Sequence, residues 1–254
     1  MLRLLQLIDV LYNESGKVNL NYASKEYLEM IVTIHQPEHM PWLGFFHKIA
    51  QADVYVLLDN VQFTKNNWQN RNRFIDRYGK LFWLSVPVIM KGHTNKLFKD
   101  MLIANNLNWK RKYWGRLFDA YCKHKYFKVY ESELYNILVS SDYEFLFDLN
   151  YEIIQFFCRQ LKINTKIIRA SALNVHGKQS ALLAMICTEL GASVYLSGPS
   201  GRDYLDVSLF KNNNIDVQFH HFINQKYTMM DGHNLSTLDL LFNHGDDSRS
   251  IIGI

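Results

Sequence analysis

The sequence predicts an α/β fold: a single domain on a mainly parallel sheet, with a hairpin and a helical insertion. Three observations carry this expectation. Short, β-branched apolar runs stand at Ile31–Ile34, Asp53–Leu58, Thr165–Arg169 and Ala192–Leu196, a pattern suited to buried strands. Segments of helical period separate them at both ends of the chain. Between the second and third runs lies a long stretch with hairpin signals followed by helical ones.

The first unit is strand–helix–strand. After Ile31–Ile34 comes a loop with Pro37 and Pro41. Pro41 pre-sets φ for a first helical turn and needs no amide partner there. Leu43–Ala50 then continues as a helix, and Asp53–Leu58 is the second strand. This spacing suits a parallel pair. Next, RFI, the turn-like DRYGK at 76–80 and LFWLSVPVI read as a hairpin, with Gly79 at the positive-φ position. A weak helical pattern covers Leu97–Ile103. Trp109, Tyr113, Leu117 and Tyr121 recur every four residues and form one face of a helix extending to about 128. Further helices are expected over Glu131–Val139, Glu144–Leu161 and Ser180–Leu190, the last stopped by Gly191. Val217–His221 is a last strand. Ser236 caps a short helix to Phe242, with Asp239 three residues on as in a capping box and Gly245 beyond its end. The helical insertion spans about 91–161 of a domain running over 30–254. Residues 1–29 read as an extension, either a short amphipathic helix packed on the domain or a stretch ahead of a start at Met30.

Composition bounds the function. The chain has 254 residues, 48 % hydrophobic and 20 % charged, with a formal charge of +4. That is an ordinary globular composition, mildly attractive to anions and too weakly basic to imply nucleic acid. The three cysteines, Cys122, Cys158 and Cys187, lie far apart without CxxC spacing. This argues against a cysteine-pair zinc site or a disulfide framework, and for a reducing, cytoplasmic compartment. No run of 18 apolar residues suggests a membrane span.

The chemistry gathers in three stretches. Polar groups follow the first two strands: His35 and Gln36, then Asp59, Asn60 and Gln62. In open α/β sheets, ligands bind at this C-terminal edge. The second stretch is amide-rich and basic. Lys65, Arg71 and Arg73 suit a pyrophosphate or carboxylate, Gln62, Asn66, Asn70 and Asn72 suit sugar hydroxyls, and Trp68 offers a stacking face. On a strand, Arg71 and Arg73 would share one face and Asn70 and Asn72 the other. The third is Ser197-Gly198-Pro199-Ser200-Gly201-Arg202-Asp203, directly after a strand. Its small residues leave backbone amides open to a phosphate, although it lacks the Lys-Ser/Thr of a P-loop. The bland alternatives are a strand-end hydrogen bond for His35, a solvated edge strand and a plain βα turn. The basic helix near 109–128 reads as a core stripe with a solvated back. No set of residues has metal-ligand spacing.

The strings HQPEHMPWLGFFHKIAQADVYVLLDNVQFTKNNWQNRNR, YLSGPSGRDYLD and LSTLDLLFNHG resemble, in order, the WbqC-like protein family of bacteria. The resemblance covers about Ile31 to Gly245. Position 39 is usually aromatic in that family, so His39 is a departure. The resemblance implies a setting among genes for O-antigen and other surface polysaccharides, and a role in adding an acyl or aminoacyl group to an amino sugar. The opening loop also resembles, loosely, the nucleotidylyltransferase superfamily, where histidines after the first strand contact nucleotide phosphates. Glu38 stands where the usual glycine would precede the second histidine. These resemblances imply a nucleotidylyltransferase-like or Rossmann-like sheet and a cytoplasmic transferase acting on a nucleotide-linked amino sugar. His35 or Asp59 would then be the base for the attacking amine. ATP, through an acyl-adenylate, or another acyl donor would be the cofactor. The rival readings are a non-catalytic nucleotide-sugar-binding or scaffold protein and, last, a nucleic-acid binder.

Overall fold

The computed structural model describes residues 29–92, 96–223, 227 and 235–254. The expectations for the extension before residue 29 lie outside them.

Five parallel strands form the central sheet. They are β1 (Ile31–His35), β2 (Val54–Leu57), β5 (Lys166–Arg169), β6 (Val194–Ser197) and β7 (Asp216–Phe219). Their spatial order is β5-β2-β1-β6-β7. Counted along the sheet this is 3-2-1-4-5, the doubly wound Rossmann-like arrangement, with its reversal of direction between β1 and β6. The hairpin β3 (Arg71–Ile75) and β4 (Leu81–Ser85) makes a separate antiparallel pair and does not join the main sheet. Its turn bonds Gly79 N–H to Asp76 O, with Gly79 at φ +79°.

The helices are α1 (Leu43–Ala50), α2 (Trp109–Tyr121), α3 (Phe127–Tyr135), α4 (Leu146–Gln160), α5 (Gln179–Glu189), α6 (Ser208–Lys211), α7 (Thr237–His244) and α8 (Ser248–Ile252). Three expectations change. The basic helix expected to run to about 128 ends at Tyr121, and α3 restarts at Phe127 after a turn. The break lets Tyr126 N–H bond Phe242 O of α7, so a tertiary contact overrides local propensity. Leu97–Ile103 holds only one 3₁₀ turn, Phe98–Asp100. Pro41 also stands further out than expected: Trp42 is the residue flanking α1, so the proline lies one position before it.

Two apolar layers sandwich the sheet. Strand alternation sends Tyr55 and Leu57 of β2 into one, which holds α1, α7 and the insertion helices. Val54 and Val56 enter the other, beside Leu182 and Ile186 of α5. Trp109, Tyr113, Leu117 and Tyr121 are all buried in the first layer, which leaves the basic residues of α2 outside it.

The β1–β6 ladder is short. Only Ile31↔Val194 and Val32↔Tyr195 pair, whereas β6 and β7 pair over four positions. Beyond Val32 the bridge is made by a side chain: Thr33 Oγ1 donates to Leu196 O at 2.7 Å. The two strands therefore part toward their C-terminal ends, and a crevice opens at the crossover point.

Candidate functional site

A cavity of about 510 Å³ fills this crevice. Three segments wall it: His35 to Trp42 after β1, Asn67 to Asn72 before and into β3, and Gly198 to Tyr204 after β6. The volume is that of a small-molecule pocket.

The loop after β1 is fixed by a hydrogen-bond network around His39. Asn150 Nδ2 donates to Gln69 O at 2.7 Å, so its Oδ1 faces His39 Nδ1 as acceptor at 3.0 Å. His39 Nε2 then accepts from the Tyr113 hydroxyl at 2.9 Å. The ring is fully buried and neutral, its pKa lowered to about 4 by burial, with the Asn150 bond opposing. His39 N–H reaches Trp68 O, and Asn72 Nδ2 bonds His39 O and Met40 O. Met40 is held at φ +48°, a conformation that costs a non-glycine residue about 1–2 kcal/mol. The polar histidine is accommodated in the packed interior because the insertion helices α2 and α4 supply both ring partners.

His35 ends β1 at the cavity wall. Its Nδ1–H donates to Gln36 O at 2.8 Å, which leaves the Nε2 lone pair facing Glu38 Oε1 at 3.8 Å. About 37 % of the side chain is exposed, and the residue lines the cavity. Crowding by protein, then the charge of Lys48, lowers its pKa to about 3. Glu38 is buried and its Oε2 has no hydrogen-bond partner. Burial raises its pKa to about 7, against the opposing pull of Lys48. A carboxyl poised near neutrality inside a cavity is suited to proton transfer.

The other sequence-singled residues divide. Gln36 lines the cavity, its Oε1 accepting from Gln69 Nε2 at 2.7 Å. Trp68 also lines it, as do Gly198, Ser200 and Gly201. Ser197 lies beneath that wall, fully buried, where a Cβ on Gly201 would overlap its Oγ. Arg202 and Asp203 are exposed outside the lining, with Arg202 over the Phe219 ring at 4.4 Å. Gln62 and Lys65 are exposed and away from the cavity.

Arg71 and Arg73 share a face of β3, as alternation requires, but it is not the cavity face. They stack on two tryptophans, one in β4 and one just before β3: Arg71 lies 4.6 Å from the Trp83 ring and Arg73 5.1 Å from Trp68, with the two indoles stacked at 5.4 Å. Asn70 bonds Val86 O instead of facing a ligand. Its neighbour Asn72, expected as another amide contact, lines the cavity.

Asp59 is not at the cavity. It is fully buried one strand away, accepting from Arg169 Nε at 3.0 Å, Ser171 N–H at 2.8 Å and Ser171 Oγ–H at 2.6 Å. The chain leaves β2 toward its neighbour β5, so this carboxylate ties two strand ends together. The same-side proximity in sequence to His35 concealed that divergence.

Sequence reasoning passed over Glu38, Trp42 and Lys48 as site residues. Trp42 lies back over α1, where a Cβ on Gly44 would overlap its indole, and this places the ring in the wall. The PWLG string carried that signal. Lys48 is 3 % exposed without a hydrogen-bond partner at Nζ. Among the described residues, no three His, Cys, Asp or Glu side chains converge as a metal site. Nor is any helix there long and apolar enough to cross a membrane.

The WbqC-like protein family profile matches residues 36–251. The chain belongs to the WbqC-like protein family. A relative, "Uncharacterized protein Rv1507c" of Mycobacterium tuberculosis (strain ATCC 25618 / H37Rv), is 31 % identical over 221 residues, covering 85 % of this chain and 95 % of the relative. No solved structure matches the chain. The profile begins at Gln36 and so takes in Glu38, Lys48 and most of the cavity lining, but not Ile34 and His35.

Proposed function

We propose that this WbqC-like protein is a cytoplasmic transferase that places an acyl or aminoacyl group on the amine of a nucleotide-linked amino sugar, in the building of O-antigen or another surface polysaccharide. The observation that carries the reading is the cavity at the β1–β6 crossover, where a glycine loop, an amide-rich loop and a proton-accepting pair meet. Open α/β sheets bind nucleotides at such a point. Ser200 and the backbone of Gly198–Gly201 would face the phosphates. Gln36 and Trp68 would face the sugar.

The proton chemistry falls to His35 and Glu38, not to the engaged Asp59. Transfer requires the amine nitrogen to attack the acyl carbon of an activated donor. A C–N bond forms, the bond to the donor's leaving group breaks, and the nitrogen loses a proton. Glu38 would take that proton, since its pKa near 7 matches the task. His35 Nε2, neutral and 3.8 Å away, would present its lone pair toward the protonated acid. ATP or a preformed acyl donor would supply the activation.

The test is turnover of UDP- or dTDP-linked amino sugars with acyl donors, with and without ATP. Acylated sugar product is expected, and Glu38→Gln should lower kcat about 10²- to 10⁴-fold, the usual worth of a positioned base. Saturable binding without any product would instead mark a non-catalytic nucleotide-sugar-binding protein.

A further inference from the structure

Three buried polar atoms lack hydrogen-bond partners, Lys48 Nζ, Glu38 Oε2 and the Tyr55 hydroxyl, and Glu38, which lines the cavity, lies near enough for charge to act between it and both of the others. Buried donors and acceptors are nearly always paired, so a cluster of orphans calls for an explanation. An unpaired buried ammonium is the costliest of these to maintain.

The position of Lys48 follows from helix geometry. It lies in the last turn of α1, but Cα–Cβ bonds on a helix tilt toward the N-terminus. The side chain therefore runs back up the helix toward the sheet edge. Its Nζ ends 4.0 Å from where a Cβ on Gly198 would stand. Its charge is felt by His35 and Glu38, and by His220 at the end of β7. His35, Glu38 and Gly198 all line the cavity. The ammonium thus sits under the glycine loop, among lining residues, with its donors unspent.

We infer that Lys48 is the phosphate-binding cation of this cavity, donating from below to an oxygen of a nucleoside diphosphate that the Gly198–Gly201 loop covers from above. The inference rests on the reading of the cavity as a nucleotide-linked-sugar site. Glycine at 198 leaves the space between Nζ and the cavity clear of a side chain. The start of α1 at Leu43, at the cavity's edge, adds favourable potential for an anion. Lys65, Arg71 and Arg73 are more conspicuous in sequence, but Lys65 is exposed and the two arginines stack on Trp83 and Trp68, so none of them is buried under the glycine loop as Lys48 is.

The experiment is calorimetric titration of UDP and of inorganic pyrophosphate into the full chain, in wild type, Lys48→Met and Lys48→Gln. Wild type should bind both, and each variant should bind at least about tenfold more weakly, the lower range for a charge-assisted hydrogen bond. Variants that bind UDP as tightly as wild type would overturn the role of Lys48 and leave the nucleotide site standing. Wild type that binds neither UDP nor pyrophosphate would overturn both. Should neither variant fold, the side-chain ¹⁵N resonance of Lys48 in wild type must move on adding pyrophosphate, and an unmoved resonance would overturn the assignment.

Discussion

Glu38 and His39 are adjacent and buried, yet their environments give them opposite characters. His39 has a partner at each ring nitrogen and serves the loop's shape. Glu38 has an orphaned oxygen and a neighbouring imidazole lone pair. The difference sets two predictions. His39→Ala strands the Asn150 carbonyl and the Tyr113 hydroxyl, which costs roughly 1–3 kcal/mol for each unsatisfied group. Urea denaturation should show that loss, while His39→Phe, which keeps the ring's volume in the packed site, should lose less. Glu38→Gln acts on the pH profile. The native state holds the Glu38 proton up to about pH 7 against a usual 4.5, so that group alone makes stability fall as pH rises between these values. His35 and His39, lowered to about 3 and about 4, work the other way: the unfolded chain takes up protons first, and stability falls as pH drops below 6.5. Removing Glu38 leaves the histidines unopposed. The variant should therefore lose stability more steeply than wild type between pH 6.5 and 4.5, measured by denaturation at each pH.

The glycine loop after β6 is where an element's packing decides the site. Gly201 is enclosed by Ser197 Oγ, Leu205 Cδ1 and Phe219 Cε1. A methyl group there must push the buried Ser197 or the loop outward. Gly201→Ala should cost about 1–3 kcal/mol by overpacking and weaken nucleotide binding, read by thermal unfolding with and without UDP. Gly44→Ala should instead displace the Trp42 indole from the cavity wall, seen as a shift in tryptophan fluorescence. Elements of this kind were legible in the sequence because period and punctuation mark them. The strands of β-branched residues, the four-residue stripe of α2, Gly79 in its turn and Gly191 after α5 all express local rules. The meeting of His35 and Gln36 with the loop after β6 followed from one topological rule, ligand binding at the strand-end edge. What local rules do not carry is the direction a side chain takes once the chain turns. Asp59 leaves β2 toward β5, and Arg71 and Arg73 fall on the outer face of the hairpin. Lys48 was hidden in an ordinary helical pattern, since only the neighbouring β6 loop makes its burial meaningful. Glu38 was seen as a departure from a motif, when its environment is its significance.

At the scale of the molecule, the insertion between β2 and β5 is part of the site's construction. Tyr113 of α2 and Asn150 of α4 pin the loop that carries His35 and Glu38, and Asn150 also holds the amide-rich segment through Gln69 O. The parallel sheet provides the opening between β1 and β6, and the insertion fixes one of its walls. Asn150→Ala should accordingly weaken nucleotide-sugar binding although Asn150 does not line the cavity, a coupling seen as a raised Kd in calorimetry with the sheet's far-UV signal retained. The most direct measurement of the whole account is amide hydrogen exchange with and without a saturating UDP-linked amino sugar. Exchange should slow in three separated segments together, residues 35–42, 67–72 and 198–204. Unchanged exchange in these segments under millimolar ligand, or protection confined to another surface, would contradict a nucleotide-sugar site at the β1–β6 crossover.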